Sequence, residues 1–354
     1  MLQKLRQEFA RYRLRQSVFL DDILNELEQI RKRSDVLAIT GKPYGHSWRG
    51  VYNGACGMFP GHLLALPHVH SQPLLTGAQY QKLADTIRQL RFSRIVFTGF
   101  SEHLEVLLEK LCNPQSGQPC YLIYHSSFSQ FYRQSRDLYY LNRIFYWYEK
   151  GYIRRIAFMK KGLAEAFVRL RNISSFRVLT MIAVPEQVGM PLPGLHIGAF
   201  GHEAFRKNLH NQVAAALLFP EAQVHVASGP ELDYLGNSHR LILHQFTENY
   251  NEFLDTLGSM TMNFYATFSE CYGMIIAESL ARGVPCLASG SSGFFDWDPD
   301  LGRELICDEI DDPNALYRKA EHLLNHRNRL AERGRQYVIR LNEIGWQLLH
   351  EFLG

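Results

Sequence analysis

Apolar residues along this chain fall into two alternating rhythms. Short apolar runs, Asp35–Thr40, Arg94–Phe100, Tyr121–His125, Ile153–Met159 and Arg177–Val184, are bounded by polar residues or glycine. Runs of that length, rich in Val, Ile and Leu and without polar alternation, read as strands buried on both faces. Between them, apolar positions spaced three and four apart predict helices near 77–91 and from His103 to Leu111. Residues 1–33 carry the same helical spacing (Leu2, Leu5, Phe9, then Ile23, Leu27 and Ile30), so one or two helices precede the first strand. Strands alternating with helices predict a parallel sheet with helical crossovers.

The alternation then stops and restarts. Pro185 to Gly194 holds three prolines and two glycines and reads as a linker between domains. Beyond it come strands at Leu195–Phe200, Gln223–Gly229, Leu241–Phe246, Thr261–Ala266 and Pro285–Ala288, with helices at 208–218 and 249–256. Asp312-Pro313 places an N-cap before a proline at the first helical position and predicts a helix to about 325. A last helical region, rich in Arg and Leu, ends at Phe352. The pattern predicts an α/β protein of two Rossmann-like domains.

Composition narrows this only slightly. At 354 residues the chain can bury two cores, and 46% apolar with 21% charged residues is a soluble, globular balance. No apolar run approaches a membrane span, and the N-terminus has no secretory pattern. The six cysteines, Cys56, Cys112, Cys120, Cys271, Cys286 and Cys307, show no C-x-x-C pair or metal spacing. Several lie within apolar patterns, where a free thiol acts as a small hydrophobe, so the expectation is a reducing cytoplasm. A net charge of +3 gives no argument for nucleic acid as a partner. Basic residues do crowd Lys4 to Arg15 and Arg154 to Lys161, and read as solvated helix faces. The stretch from Phe128 to Lys161 is both aromatic and basic. It suits core packing, an acceptor groove or contact with an anionic membrane surface.

Chemistry concentrates in Phe268-Ser-Glu-Cys-Tyr-Gly-Met-Ile-Ile-Ala-Glu-Ser-Leu-Ala-Arg-Gly-Val-Pro-Cys-Leu-Ala-Ser289. Glu270 and Glu278 stand either side of Gly273, where a turn opens a short helix ahead of a buried strand. A helix start offers unpaired N–H groups and the positive end of a dipole, which suits a phosphate. Two carboxylates beside it can accept hydrogen bonds from sugar hydroxyls. Such an acid pair alone arises by chance about once in a chain of this length; the ordered string is far more specific.

That string resembles the second-domain signature of retaining glycosyltransferases with the GT-B fold, the glycosyltransferase family 4 or group 1 type. The signature is a Glu, seven residues and a second Glu, with an aromatic-Gly pair after the first and Ala-x-Gly-x-Pro after the second. Here these are Glu270, Tyr272-Gly273, Glu278 and Ala281 to Pro285. The resemblance implies a GT-B architecture of two Rossmann-like domains facing a cleft. It divides the chain into an acceptor-side domain at 1–188, a nucleotide-sugar domain at 189–340 and a helix at 341–354 crossing back, with Gly345 to Phe352 making the crossing. The first half is similar only in its order of elements.

By resemblance Glu270 contacts donor-sugar hydroxyls, Glu278 holds the ribose, and backbone N–H groups of Tyr272, Gly273 and Met274 face the phosphates. Arg206 and Lys207 supply positive charge to the leaving diphosphate. Lys207 matches the family's lysine, but Gly201 stands where relatives carry arginine, and Arg206 is the candidate to replace it. His125, after the Tyr121 strand, is the candidate to donate a hydrogen bond to the reacting sugar. Gly45 and His46 occupy a loop where relatives carry Gly-Gly, which this chain lacks. Asp296-Trp-Asp-Pro-Asp300 superficially resembles a metal-binding Asp-x-Asp but reads as a solvated acidic loop.

The expectation is a metal-independent hexosyltransferase without cofactor. It takes a nucleoside-diphosphate sugar and transfers the sugar, with retention, to a glycan, lipid-linked glycan or protein acceptor. The expected location is the cytoplasm or the membrane periphery. A nucleotide-sugar epimerase of the same fold, or a non-catalytic sugar-nucleotide-binding protein, are the rival readings.

Overall fold

The computed structural model describes residues 19–44, 48–67, 75–112, 118, 120–131, 135–227, 232–236, 238–245, 247 and 249–354. The basic residues Lys4 to Arg15 and the loop residues Gly45 and His46 lie outside the described residues. The chain divides into two compact units, Met1–Val178 with Leu348–Gly354, and Leu179–Gln347.

In the first unit a helix over 19–33 (α1) precedes β1 (Val36–Gly41), α2 (Arg49–Met58), β2 (Leu63–Leu66), α3 (Gly77–Leu90), β3 (Arg94–Thr98) and α4 (Glu102–Leu111). It continues with β4 (Cys120–Tyr124), α5 (Ser135–Glu149), β5 (Arg155–Phe158), α6 (Leu163–Arg171) and β6 (Ser175–Arg177). The strands form one parallel sheet in the order β2-β1-β3-β4-β5-β6. Strands such as β4, buried at every position, are what a sheet covered on both faces requires. Thr76 caps α3 in a capping box with Gln79, and Ser101 caps α4.

The aromatic stretch resolves by helical period. Leu141, Ile144, Phe145 and Trp147 of α5 are buried in the core, whereas Leu138, Tyr139 and Tyr146 are exposed. Cys112 and Cys120, expected to be free thiols, are paired in a disulfide that joins the end of α4 to the start of β4. Cys56, Cys271, Cys286 and Cys307 form no disulfide among the described residues.

The second unit contains β7 (His196–Ala199), α7 (Leu209–Leu217), β8 (Gln223–Ala227), β9 (Leu241–His244), α8 (Tyr250–Gly258), β10 (Met262–Tyr265), α9 (Met274–Ala281) and β11 (Cys286–Ala288). Next come α10 (Pro299–Leu305), α11 (Pro313–Asn325), capped by Asp312, and α12 (Arg327–Leu353), whose last residues belong to the first unit. This sheet is also parallel, in the order β11-β10-β7-β8-β9. The chain runs outward from β7 to β9, then returns to β7's other side with β10. That reversal is the switch point at which open parallel sheets bind ligands beyond their carboxyl ends.

The apolar run at 177–184 departs from its sequence reading. Only Ser175–Arg177 pairs as a strand, and Val178 to Ile182 continue buried without a ladder. The Asn342 side chain replaces the missing partner, accepting from Ile182 N at 2.9 Å and donating to Ile182 O at 2.8 Å. Buried backbone must be satisfied, and here an amide side chain does so in place of a neighbouring strand. At the C-terminus, the carbonyls of Phe352 and Leu353 accept from Arg155 at 2.8 Å and Arg94 at 2.5 Å. Phe352 itself packs edge-on against Tyr121.

Candidate active site

The loop between β10 and α9 leaves the sheet at the switch point and carries Glu270. Its Oε2 accepts a hydrogen bond from the Tyr265 hydroxyl at 2.8 Å, an ion-paired bond from Lys207 Nζ, and a longer contact from Arg206 Nη1 at 3.4 Å. Its Oε1 accepts from Cys271 N at 3.1 Å. Lys207 Nζ also donates to the Tyr265 oxygen and lies 4.8 Å from the centre of that ring. The structure therefore joins Arg206, Lys207 and Glu270 into one cluster carrying two cations and one anion.

Burial raises the Glu270 carboxyl, but Lys207 and Arg206 overcome this and hold it down to about 2, so it is ionised at neutral pH. Burial pulls the Lys207 ammonium below its usual range, against the support of Glu270. Tyr265 is pushed well above its usual range by burial and then by Glu270, with Glu278 also acting on it. Glu278 thus lies within electrostatic reach of the cluster.

Lys207 can be buried here because of the residue that follows it. Asn208 adopts the left-handed conformation, with φ of 54°, and its side-chain amide donates to the carbonyls of Ala266 at 3.0 Å and Ile310 at 2.5 Å. These bonds lash the turn to the end of β10. Gly201 lies alongside; a Cβ there would meet the Lys207 Cβ at 3.5 Å.

Gly273 caps α9 with φ of 87°. A Cβ on it would lie 2.9 Å from Ile276 Cδ1, so both the backbone conformation and the space demand glycine. Met274 begins the helix, whose first N–H groups have no intrahelical acceptor. The side chain of Tyr272 points elsewhere: it is buried, with its ring edge-on to Phe294. Gly273→Ala is expected to destabilise the protein by about 1–2 kcal/mol in thermal or urea unfolding.

Glu278 sits one turn further on, buried, and its Oε1 accepts a hydrogen bond from the Tyr250 hydroxyl. Tyr250 opens α8 behind its cap Asn249. Tyr265 and Tyr250 went unmarked in the sequence reading. The available signals were their positions: Tyr265 ends a strand at the carboxyl edge, and Tyr250 begins a helix at the same edge.

His125 belongs to the first unit, directly after β4, and its Nε2 lies 2.8 Å from the Thr98 hydroxyl. Burial pushes its imidazole down to about 4, so it is neutral at physiological pH. A buried histidine, His225, bridges His196 and His244 across β7, β8 and β9, with both ring-to-ring hydrogen bonds at 2.8 Å. Burial, and then its two histidine neighbours, push it to about 4 as well. The unfolded chain takes up these protons below about pH 6.5, whereas the folded chain refuses them until about 4. Stability is therefore expected to fall as pH drops from about 6.5 towards 4. His125→Gln and His225→Gln should each flatten that slope in a series of melting temperatures.

The acidic loop has structural work. Asp298 caps α10 and pairs with Arg333 at 2.9 Å, and Asp300 pairs with Arg303. Among the described residues, no three His, Cys, Asp or Glu side chains are grouped so as to hold a metal ion. No described helix is long and apolar enough to cross a membrane.

No family model matches the chain, and no curated protein sequence matches it. Solved structures do. The chain is similar to sucrose-phosphate synthase from Thermosynechococcus elongatus, with a TM-score of 0.61 at 14% identity, over 89% of this chain and 96% of that one. It is similar to HepE of Anabaena, solved with UDP and glucose, with a TM-score of 0.64 at 12% identity, over 89% and 99%. A glycosyltransferase from Rickettsia africae gives 0.58 at 11% identity, over 90% and 98%. The fold is that of the GT-B glycosyltransferases, built from two Rossmann-like α/β units.

Proposed function

We propose that this protein is a glycosyltransferase that takes a nucleoside-diphosphate sugar and transfers the sugar with retention, without a metal. The observation that carries the reading is the convergence, at the switch point of one sheet, of Arg206, Lys207 and Glu270 with the glycine-capped start of α9 and the buried Glu278. A cluster of net charge +1 beside free helix N–H groups favours a diphosphate. On arrival the diphosphate gives Lys207 and Arg206 a second anionic partner and lets Glu270 turn towards the sugar hydroxyls. Glu278 exchanges the Tyr250 hydroxyl for the ribose diol.

As the glycosidic bond breaks, negative charge grows on the departing diphosphate. Lys207 and Arg206 stabilise it more than they stabilise the ground state, which is what lowers a barrier. The role proposed for His125 is hydrogen bonding to the reacting sugar as a neutral imidazole. The departing phosphate serves as base for the acceptor hydroxyl. The acceptor is a glycan, a lipid-linked glycan or a protein side chain. The exposed Leu138, Tyr139 and Tyr146, with Arg143 stacked 4.6 Å over the Tyr146 ring, favour an acceptor presented at a membrane surface.

Incubation with a panel of nucleotide sugars tests the reading. Transfer or slow hydrolysis, with release of nucleoside diphosphate, supports it. Exchange of epimers identifies the epimerase instead, and binding without turnover identifies a non-catalytic protein.

A further inference from the structure

A cleft of about 330 Å³ opens in the second unit at the amino ends of β10 and β11, the opposite end of the sheet from Glu270. Its floor is backbone. Gly258 ends α8, Gly283 and Val284 follow α9, and the segment from Val188 to Pro191 lies across them. Close packing explains the glycines: a Cβ on Gly189 would lie 2.8 Å from Gly258 O, and one on Gly283 would lie 2.6 Å from Val188 Cγ1. The wall is α12, through Arg327, Ala331 and Arg335, with Asn328 and Glu332 beside them.

Arg327 and Arg335 are eight residues apart, so they share one helical stripe about 12 Å long. Each spends one N–H on a backbone carbonyl: Arg327 Nε donates to Thr261 O at 3.1 Å, and Arg335 Nη2 donates to Pro185 O at 2.5 Å. Neither guanidinium has a carboxylate within ion-pair distance among the described residues. The Arg335 Nε–H is buried with no hydrogen-bond partner among them. Two guanidiniums lining one cleft, neither neutralised by a carboxylate, favour an anion there. The acid in the lining, Glu332, is exposed and accepts from Gln336 at 2.9 Å.

We propose that this cleft is a second ligand site, taking a small phosphate-bearing anion gripped by the Arg327 and Arg335 guanidiniums. A fork of fixed N–H donors matches phosphate oxygens two at a time, which a lysine would not do. The site stands independently of the reading of the Glu270 cluster.

The test is calorimetric titration of inorganic pyrophosphate into the full chain and three variants. Arg327→Gln removes one fork. Asn328→Asp sets a carboxylate at the cleft's exposed edge without removing any contact that holds the fold. Arg206→Gln reports on the other cluster. The expected result is a binding event that persists in Arg206→Gln and is weakened about tenfold by Arg327→Gln and by Asn328→Asp, whereas any pyrophosphate held by the Arg206 and Lys207 cluster is a separate event that Arg206→Gln alone weakens. The proposal is overturned if the wild-type chain binds no pyrophosphate, if Arg327→Gln and Asn328→Asp titrate like wild type, or if only Arg206→Gln loses the event.

Discussion

Lys207→Met is expected to lower the unfolding free energy by about 3–5 kcal/mol, because it leaves Glu270 buried beside only one, more distant cation. As a lysine in a solvated loop it would be nearly neutral to remove. Its burial, its ion pair to Glu270 and its contact with Tyr265 place it in a different regime. The double variant Lys207→Met/Glu270→Gln should recover most of the loss, since it removes both charges and leaves a polar group still able to accept from Tyr265. Urea unfolding of the wild type, Lys207→Met, Glu270→Gln and the double variant measures this coupling directly. A loss below about 1 kcal/mol in the single variant would show that the pair is solvated and held by little. The comparison also guards any kinetic experiment: activity lost in a Lys207 variant must be separated from a smaller folded fraction.

Glu278→Gln is expected to weaken binding of a nucleoside diphosphate by roughly 100-fold, the order of two charge-assisted hydrogen bonds to a ribose diol becoming ordinary ones. The amide oxygen still accepts from Tyr250, so stability should change far less than affinity. Tyr250→Phe makes the opposite case. It removes the hydroxyl that occupies the carboxylate in the free protein, so affinity should hold or rise. Titration of uridine and guanosine diphosphates into the three proteins decides the matter. Equal affinity in wild type and Glu278→Gln would end the assignment of Glu278 to the ribose.

Much of the second unit was legible from sequence because its signals are local. The glycine at 273 must take a positive φ, and the Asp312-Pro313 pair can hardly begin anything but a helix. Apolar runs without alternation implied strands covered on both faces, and both sheets are parallel. The misses came from contacts that no short window contains. Strand β2 is four residues long, and α2 holds three glycines and has no side-chain cap to announce it. The 177–184 run looked like a strand because it is buried, yet at Ile182 its backbone is satisfied by an amide 160 residues away. Cys112 and Cys120 lie within ordinary apolar patterns, and only the fold brings their sulfurs together.

By itself the sequence determined the α/β class, the parallel pairing and the string from Glu270 to Pro285, since period, burial and turn chemistry are written in neighbouring residues. Tertiary structure alone decided that Lys207, Arg206 and Tyr265 meet on one carboxylate, that Tyr250 closes on Glu278, and that two arginines of α12 face a glycine floor. The reason is electrostatic: a charge's role depends on what surrounds it in space and how much water it keeps, and sequence spacing records neither.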